Sequence, residues 1–248
     1  MIIVGDIGNT ETKICLVNSN NKIVKKISIS TKRINSLSLQ NSFKMLKLRN
    51  KKIEKCLFCS VDPKSFKKIK NFLLKLYKIK CYELKTLKLK KLINIKVNYN
   101  QIGSDRLANA IGVMNFKDNF IILDFGTATT FDVLVKNSYY GGVIAPGVKL
   151  SLNTLSDKAT LIPKINLKKT KKVIGLNTDT AVRSGFFWGY TGLIDNIINL
   201  IKKETGKSFR VLITGGFANL FKNSITSKVS LDKDITINGL IKATVLIK

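Results

Sequence analysis

The chain contains two segments in which a short apolar run leads into a glycine-containing turn and a second apolar run follows. The first reads IIVGDIGNTETKICLV around Asp6, and the second reads FIILDFGTATTFDVLV around Asp124. The two aspartates are 124 − 6 = 118 residues apart. Short apolar runs of this kind form strands, and glycine permits the tight turn between them. The pattern therefore predicts two similar hairpins in an internally repeated chain.

Each hairpin is followed by another apolar run of strand length. The returning strand at residues 13–17 is followed by the turn NSNN and a strand at 23–29. In the second half, the strand at 130–135 is followed by KNS and a strand at 139–144. Asn and Ser favour turns, so each half is predicted to open with three antiparallel strands.

Helical spacing appears later in each half. Asp62-Pro63 is typical of a helix start, and the helix that follows has apolar positions at Phe66, Ile69, Leu73 and Leu76. A longer helix is predicted from about 178 to 203, with a stripe formed by Ile194, Ile197, Ile198 and Ile201. A strand at 211–214 then meets Gly215-Gly216, and a short apolar helix is predicted at about 239–247.

Three strands followed by strand and helix units, present twice, resemble the α/β duplicated ribonuclease-H-like fold of actin-like ATPases. We expect two similar halves, residues 1–116 and 117–248, around a nucleotide cleft, because ligand sites prefer such clefts. The C-terminal helix could pack back on the first half.

The composition is that of a folded protein. With 248 residues and 44% apolar residues, the chain can bury one large core or two modest ones. No apolar run reaches the roughly 18 to 20 residues that crossing a bilayer requires. The start MIIVGDIGNT lacks the basic lead and the cleavage site of a signal peptide. We therefore expect a cytoplasmic protein without a membrane partner.

The charge is strongly positive, with 44 basic against 15 acidic residues and a net charge of +29. Such a field attracts nucleic acid, and it also attracts ATP and small anionic substrates. The lysines are spread along the chain, as in LKTLKLKKLINIK, beside abundant Ile and Asn. This spread favours a general compositional bias, so nucleic acid is not the expected partner.

Cysteine and histidine usage narrows the possible chemistry. The four cysteines lie in apolar stretches, and Cys56 and Cys59 form a C-x-x-C in EKCLFCSV. A redox pair is one interpretation, but a buried strand with thiols as small apolar groups is favoured. The chain has no histidine. Proton transfer near neutral pH must therefore fall to a carboxylate, Lys, Tyr or Cys.

The two glycine turns carry candidate phosphate-binding chemistry. In the first, Asp6-Ile7-Gly8-Asn9-Thr10, glycine allows backbone N–H groups to approach phosphate oxygens, and Asp6 can hold Mg²⁺ through waters. Either turn alone could be an ordinary hairpin turn. Two of them at matching positions of a repeat form a more specific signal for nucleotide binding.

A third motif, Gly103-Ser104-Asp105-Arg106, opens an amphipathic stretch. We expect Ser104 to cap a helix and to place Asp105 and Arg106 in its first turn. Asp105 could be only a favourable first-turn acid, but without histidine a cleft carboxylate is the natural base for a hydroxyl nucleophile. Arg106 could grip a substrate carboxylate.

Two further glycine motifs are weaker signals. GGVIAPG at 141–147 is a strand end with glycines on both flanks, typical of a loop that lets a backbone or ligand come close. TGGF at 214–217 resembles the turn that covers adenosine in actin-like ATPases.

In order along nearly the whole chain, DIGNT, GSDR, DFGTATT, GGVIAPG, Asn177-Thr178 with the later RSG, and TGGF resemble the motif series of type III pantothenate kinases. That family implies ATP-dependent phosphorylation of the hydroxyl of pantothenate to give 4'-phosphopantothenate, the first step of coenzyme A biosynthesis. It also implies a homodimer and a monovalent cation, K⁺ or NH₄⁺.

The resemblance implies a role for each matching residue. Asp105 is the expected proton acceptor, Asp124 the expected ligand of the monovalent cation, and Asp6 the expected Mg²⁺ residue. The expected ATP-binding residues are Asp6, Ile7, Gly8, Asn9, Thr10, Glu11, Thr12, Lys13 and Thr127. The expected pantothenate-binding residues are Tyr99, Gly103, Ser104, Asp105, Arg106 and Thr178.

One stretch departs from the family pattern. The run VNYNQIGSDR lacks the Asn-Pro that often precedes the GxDR motif, and Tyr99 is the candidate for the substrate-binding tyrosine. Two other functions stay open from the sequence. One is a non-catalytic transcriptional accessory factor of the same family, against which the intact Asp6, Asp105 and Asp124 argue. The other is a small sugar or polyol kinase of the same fold.

Overall fold

The protein is described by a computed structural model that covers residues 1–48 and 51–247. It contains two mixed sheets and helices of widely different length. The strands are β1 (Ile2–Ile7), β2 (Glu11–Val17), β3 (Ile23–Ser30), β4 (Lys55–Ser60), β5 (Tyr82–Glu83), β6 (Asn94–Ile95), β7 (Phe120–Phe125), β8 (Ala128–Val135), β9 (Ser138–Pro146), β10 (Arg210–Gly215) and β11 (Val229–Leu231). The α-helices are α1 (Ser36–Met45), α2 (Pro63–Tyr77), α3 (Ser104–Val113), α4 (Val148–Lys158), α5 (Thr178–Thr205), α6 (Ala218–Phe221) and α7 (Ile235–Ala243).

The chain divides into two compact units. Unit 1 comprises the described residues of Met1–Met114, Asn137–Tyr139 and Asp234–Lys248, and unit 2 comprises Asn115–Lys136 and Tyr140–Lys233. The chain therefore leaves unit 1 after α3, returns to it briefly at Asn137–Tyr139, and returns again for α7.

Unit 1 has a five-stranded sheet in the order β3-β2-β1-β4-β5. Strands β1, β2 and β3 are antiparallel, whereas β4 lies parallel to β1 and β5 lies parallel to β4. The short strand β6 pairs in parallel with Ser138 and Tyr139, the first two paired residues of β9. In this order the carboxyl ends of β1, β4 and β5 lie at one edge of the sheet, since all three run in the same direction.

Unit 2 repeats this arrangement. Its strands follow the order β11-β10-β7-β8-β9, with β7 antiparallel to β8 and parallel to β10, and with β10 parallel to β11. Strand β7 thus stands to β8 and β10 as β1 stands to β2 and β4. The sequence repeat around Asp6 and Asp124 is a repeat of structure, and the prediction of a mixed α/β chain with matching hairpins is confirmed.

Each sheet packs its apolar face into a core of its own. In unit 1, Phe58 of β4 and Phe43 of α1 are fully buried in a cluster with residues of β1, β2 and α2. In unit 2, Phe131 of β8 and Phe187 of α5 are fully buried in a separate cluster. Burial of large apolar side chains is the main stabilising contribution in both units.

The helices begin where their capping residues stand. Asp62 accepts hydrogen bonds from the backbone N–H groups of Lys64 and Ser65 and caps α2, with Pro63 as the first helical residue. Asn35 and Asn177 form capping boxes at α1 and α5. The two longest helices, α2 and α5, therefore start at the positions that the sequence predicted.

Helices α3 and α7 of unit 1 pack at unusually close range. A Cβ atom on Gly239 of α7 would overlap with the backbone carbonyl of Ala108 on α3. A Cβ atom on Gly112 would likewise overlap with the carbonyl of Ile235. The lack of side chains at Gly112 and Gly239 lets the two backbones approach, so α7 is an integral part of unit 1.

Three expectations about helices were wrong in detail. Leu76 was expected on the apolar stripe of α2 but is 55% exposed, and Phe72 is buried instead. The last helix begins at Ile235, four residues before the expected start, and gives way to a 3₁₀ turn at Thr244–Leu246. Each of these helices has more apolar residues than one buried face can hold. The spacing of apolar positions alone therefore does not show which face is buried. Among the described residues, no helix is both long and apolar enough to cross a membrane.

Candidate functional site

The turn after β1 is a tight hairpin closed by a backbone hydrogen bond. The backbone N–H of Gly8 donates to the carbonyl of Glu11 over 3.0 Å, and a Cβ on Gly8 would come within 3.0 Å of that same oxygen. Asn9, Thr10 and Glu11 are exposed at the tip, whereas the side chains of Ile7 and Thr12 are buried. Of the residues expected to bind ATP, Ile7 and Thr12 therefore present backbone rather than side-chain groups.

Thr31 anchors this turn to the end of β3. Its hydroxyl donates to the carbonyl of Gly8 over 2.7 Å, and its backbone N–H donates to the carbonyl of Thr10 over 3.0 Å. Since the Thr31 proton is used on Gly8, the buried hydroxyl of Thr12 is the donor in its 2.9 Å contact with Thr31. The tip of the turn is thus fixed before any ligand arrives.

Asp6 lies at the carboxyl end of β1, between Lys13 of β2 and Cys59 of β4 in the sheet register. The thiol of Cys59 donates to Oδ1 of Asp6 over 3.3 Å. Burial raises the pKa of the Cys59 thiol well above its ordinary value, and the negative charges of Asp6, Asp105 and Glu83 raise it further. Cys59 is therefore a neutral donor among three carboxylates.

The two cysteines of the C-x-x-C do not contact each other, because residues three apart lie on opposite faces of a strand. The Cys56 thiol lies 3.2 Å from the Cys81 sulfur, while Cys59 faces Asp6. All four cysteines are free and buried. The interpretation of EKCLFCSV as a buried strand is confirmed by β4.

Helix α3 carries the candidate base in its first turn. Oδ1 of Asp105 accepts from the backbone N–H of Arg106 over 2.9 Å. A Cβ on Gly103 would overlap with the same carboxylate oxygen, so any larger residue there would displace the Asp105 side chain. Burial raises the pKa of Asp105, and the backbone N–H and the charge of Arg106 partly offset this.

Ser104 was expected to be the helix cap, and this was wrong. Gly103 occupies the cap position, without a side-chain hydrogen bond, and Ser104 is the first helical residue. The Ser104 hydroxyl donates instead to Oε1 of Glu83, at the end of β5. Because the Ser104 hydroxyl donates to Glu83, it does not act as a helix cap. Asp105 and Arg106 lie in the first turn as predicted.

Tyr99 lies in a 3₁₀ turn shortly before α3 and is half-buried. Its hydroxyl donates to the backbone carbonyl of Lys85 over 2.9 Å. Burial raises the pKa of Tyr99, with a further contribution from the negative charge of Glu83. The tyrosine expected to bind pantothenate is therefore held near the start of α3.

The corresponding turn of unit 2 is closely approached by a glycine from another segment, Gly147. Gly126 donates to the carbonyl of Ala128 over 3.0 Å, as Gly8 does in unit 1. A Cβ on Gly147 would overlap with the carbonyl of the exposed Thr127. The expected close approach of another backbone at GGVIAPG is thereby confirmed at Gly147, but the expected loop was wrong, because residues 141–146 belong to strand β9 and Gly147 caps α4.

Asp124 is the next-to-last residue of β7, where it pairs with Thr214 of β10, and the following residue Phe125 pairs with Gly215. Gly215 has a φ of +88°, and a Cβ there would lie 2.7 Å from Oδ1 of Asp124 and 2.6 Å from the carbonyl of Phe125. Two oxygen atoms therefore face the bare α-carbon of Gly215. Thr178, the remaining expected pantothenate residue, is the exposed first residue of α5 in unit 2.

The described residues contain no group of three or more His, Cys, Asp or Glu side chains that could hold a metal ion. Mg²⁺ in kinases is commonly held by one or two carboxylates together with phosphate oxygens and waters. The Asp6 carboxylate fits such a partial ligand set. The oxygens of Asp124 and Phe125 are of the type that K⁺ prefers.

Sequence reasoning missed Thr31, Cys59, Glu83 and Lys85 as neighbours of the candidate site. Their only sequence signal is position: each stands within a residue or two of a strand end. Which strand ends meet depends on the parallel pairing of β1, β4 and β5.

Comparison with known proteins identifies the family. A model of the family described as type III pantothenate kinase matches residues 2–200. A type III pantothenate kinase from Pelagibacter ubique (strain HTCC1062) is 73% identical over 248 residues, covering 100% of each chain. Another from Syntrophotalea carbinolica is 30% identical over 246 residues, covering 97% of this chain and 96% of its own.

A structural relative supports the fold. A ROK family glucokinase from Streptomyces griseus, solved with glucose and AMPPNP, aligns with a TM-score of 0.56 at 13% identity and covers 99% of this chain and 98% of its own. At this identity the likeness shows the fold alone, and it confirms the predicted duplicated ribonuclease-H-like class. Together with the sequence matches, this leads to one conclusion: the chain belongs to the type III pantothenate kinase family and is a kinase.

Proposed function

We propose that this chain transfers the γ-phosphoryl group of ATP to the hydroxyl of pantothenate, the first step of coenzyme A biosynthesis, with Asp105 as the base. The observation that carries the proposal is the position of Asp105, in the first turn of α3 with a pKa raised by burial. A carboxylate with a raised pKa is a better proton acceptor than an ordinary aspartate.

Phosphoryl transfer needs alignment of donor and acceptor more than covalent help from the protein. We assign the alignment of the acceptor to Tyr99, Gly103, Ser104 and Arg106, with Arg106 binding the pantothenate carboxylate. Thr178 belongs to the same assignment, from unit 2. As the hydroxyl oxygen attacks the phosphorus, its proton passes to the Asp105 carboxylate.

ATP binding is assigned to the turn at 6–13 and to Thr127. The support in unit 1 is the fixed hairpin tip, where Thr31 holds the carbonyls of Gly8 and Thr10. A pre-formed turn directs its backbone N–H groups without an ordering penalty when phosphate binds. Lys13, half-buried and 3.7 Å from Glu11, adds a positive charge beside the turn.

Metal ions complete the proposal. When bound near Asp6, Mg²⁺ would neutralise charge on the phosphates. Asp124 would hold K⁺ or NH₄⁺, supported by the carbonyl of Phe125 beside it. We further propose a cytoplasmic homodimer that does not use nucleic acid as a partner. Light scattering would test the dimer, and retention on a nucleic-acid column at physiological salt would contradict the last point.

The function is tested by ADP release from ATP and Mg²⁺ with pantothenate, with and without K⁺ or NH₄⁺, against a panel of sugars and polyols. We expect release with pantothenate only, and a dependence on the monovalent cation. Release with a sugar and not with pantothenate would replace this proposal by a sugar kinase. Mass spectrometry of the product should find phosphopantothenate.

A further inference from the structure

We propose that Glu83 is a positioning residue for pantothenate, which holds the segment from Tyr99 to Arg106 in its binding geometry through the contacts of residues 83–85. This inference rests on the proposed function, because it takes that segment as the pantothenate site. Residues 83–85 are called the clamp below.

Both carboxylate oxygens of Glu83 are used within unit 1. Oε1 accepts from the hydroxyl of Ser104, and Oε2 accepts from the backbone N–H of Lys85 over 2.7 Å. Glu83 itself is fixed in the sheet, since β5 pairs in parallel with β4 and places Glu83 opposite Phe58. The carboxylate therefore links a rigid strand end to the first residue of α3.

This link holds the first residue of α3, a helix that has no side-chain cap. Gly103 has no side chain, and the cap position makes no side-chain hydrogen bond. Ser104 is only 3% exposed, so its hydroxyl has little access to water if Glu83 is removed. Asp105 and Arg106 follow Ser104 directly in the first turn. A displacement of Ser104 would therefore move both residues that are proposed to face the substrate.

Lys85 also binds the loop before α3 through hydrogen bonds. Its ammonium group donates to the carbonyl of Ile102 over 3.0 Å and to that of Asn100 over 3.3 Å. The same nitrogen lies 5.0 Å from the centre of the Tyr99 ring, and the Lys85 carbonyl accepts from the Tyr99 hydroxyl. Both ends of the candidate pantothenate segment are thus bound to the clamp.

The electrostatics agree with a carboxylate that acts as an acceptor. Burial raises the pKa of Glu83, while the hydrogen bonds from Ser104 and from the backbone of Lys85 and Ser60 lower it. Hydrogen bonds to the charged form favour that form, and both Glu83 oxygens accept protons in the observed geometry.

Positioning and general stabilisation predict different kinetics. A merely structural glutamate would affect the amount of folded enzyme, and with it the apparent kcat, but not the Michaelis constant of one substrate. Loss of positioning at the pantothenate segment should raise KM for pantothenate and leave KM for ATP unchanged. The hydrogen bonds of the clamp described above lead to that segment and not to the turn at 6–13.

The test compares Glu83→Ala and Glu83→Gln with Glu204→Ala, an exposed glutamate near the end of α5. Steady-state kinetics with both substrates and thermal melts are measured for all four proteins, including the unchanged chain. We expect Glu83→Ala to raise KM for pantothenate about tenfold or more. Glu83→Gln keeps one acceptor oxygen and should raise it about threefold. KM for ATP should stay within about twofold in both.

The inference is overturned if both Glu83 variants keep the pantothenate KM of the unchanged chain, or if KM for ATP rises in parallel. Should Glu83→Ala be unfolded at the assay temperature, Glu83→Gln decides by the same criteria. The proposed function fails separately, if the unchanged chain and Glu204→Ala release no ADP in response to pantothenate.

Discussion

The thiol of Cys59 donates a hydrogen bond to Oδ1 of Asp6 across two parallel strands, over 3.3 Å. The cysteine is fully buried, and its hydrogen bond to the aspartate links it to the candidate site. A weak donor in a buried position can still orient a carboxylate, because the alternative is an unsatisfied group. This contact gives Cys59 a role that its place in a C-x-x-C does not reveal.

We therefore predict that Cys59→Ala raises KM for ATP about fivefold, corresponding to about 1 kcal/mol for the lost hydrogen bond. Cys59→Ser should retain a donor and stay close to the unchanged chain. Cys56→Ala is the matched control, since Cys56 is equally buried on the other face of β4 and contacts Cys81 instead. Equal effects of Cys59→Ala and Cys56→Ala on ATP would attribute both to loss of packing.

Replacement of the candidate base should remove catalysis without unfolding the protein. Asp105→Asn is expected to lower kcat by about a hundredfold or more, measured as ADP release at saturating substrates. Circular dichroism should show an unchanged fold. Asp157→Asn, an exposed acid on α4, serves as the control. Near-normal turnover of Asp105→Asn would exclude this carboxylate as the proton acceptor.

The same variant should make the protein more stable near neutral pH. Burial raises the pKa of Asp105 in the folded protein, so the carboxyl of the unfolded chain ionises first as the pH rises. The contribution of Asp105 to stability is therefore fully present below its unfolded pKa and is lost as the pH rises through its folded pKa. Asn cannot ionise and avoids this loss.

Urea unfolding of the unchanged chain and of Asp105→Asn at several pH values between about 4 and 7.5 measures this difference. The stability advantage of the variant should grow with pH. An advantage that shrinks with rising pH would mean that the folded protein favours the ionised carboxylate, contrary to the burial argument.

The hydrogen bonds of Thr31 to the first turn can be removed while the volume of its side chain is kept. Thr31→Val keeps the volume of the side chain but loses the hydrogen bonds to Gly8 and Thr12, each worth about 1 kcal/mol. We expect KM for ATP to rise several-fold while KM for pantothenate is unchanged. Thr205→Val, which loses a single hydrogen bond within α5, is the control and should leave both constants unchanged. A rise confined to pantothenate would contradict the assignment of the turn to ATP.

Two glycines should respond to alanine in opposite directions. Gly239→Ala is expected to destabilise the fold by about 1–3 kcal/mol, because the new Cβ has no space against the Ala108 carbonyl. Gly189→Ala, exposed in the middle of α5 with no atom near its Cβ position, should stabilise by about 0.5–1 kcal/mol. Thermal melts distinguish the two outcomes. A neutral Gly239→Ala would show that α3 and α7 can separate without loss.

The elements that the sequence predicted are those whose ends are set by neighbouring residues in the chain. The hairpins at Asp6 and Asp124, the start of α2 at Pro63 and the start of α5 at Thr178 follow from turn and capping residues next to them. The repeat then indicated the fold class, because two similar hairpins in one chain predict two similar sheets.

The features that escaped prediction depend on residues far apart in the chain. The role of Ser104 is decided by Glu83, 21 residues earlier, and that of Asp6 in part by Cys59, 53 residues later. Nothing in the local pattern of GSDR distinguishes a capping serine from one that donates to another strand. The assigned roles of Asp105, Tyr99, Asp124 and the residues of both turns stay predictions until the assays above are done.

The backbone contact between Gly239 and Ala108 also sets an order of assembly during synthesis. Unit 2 ends at Lys233, so all of its residues have been translated before the first residue of α7. All five strands of the unit 1 sheet precede α3 in the chain, whereas α7 follows only after unit 2. Helix α3, which carries the candidate base, therefore has no α7 to pack against until unit 2 has been translated. The packing of unit 1 is thus completed only after unit 2 has been synthesised.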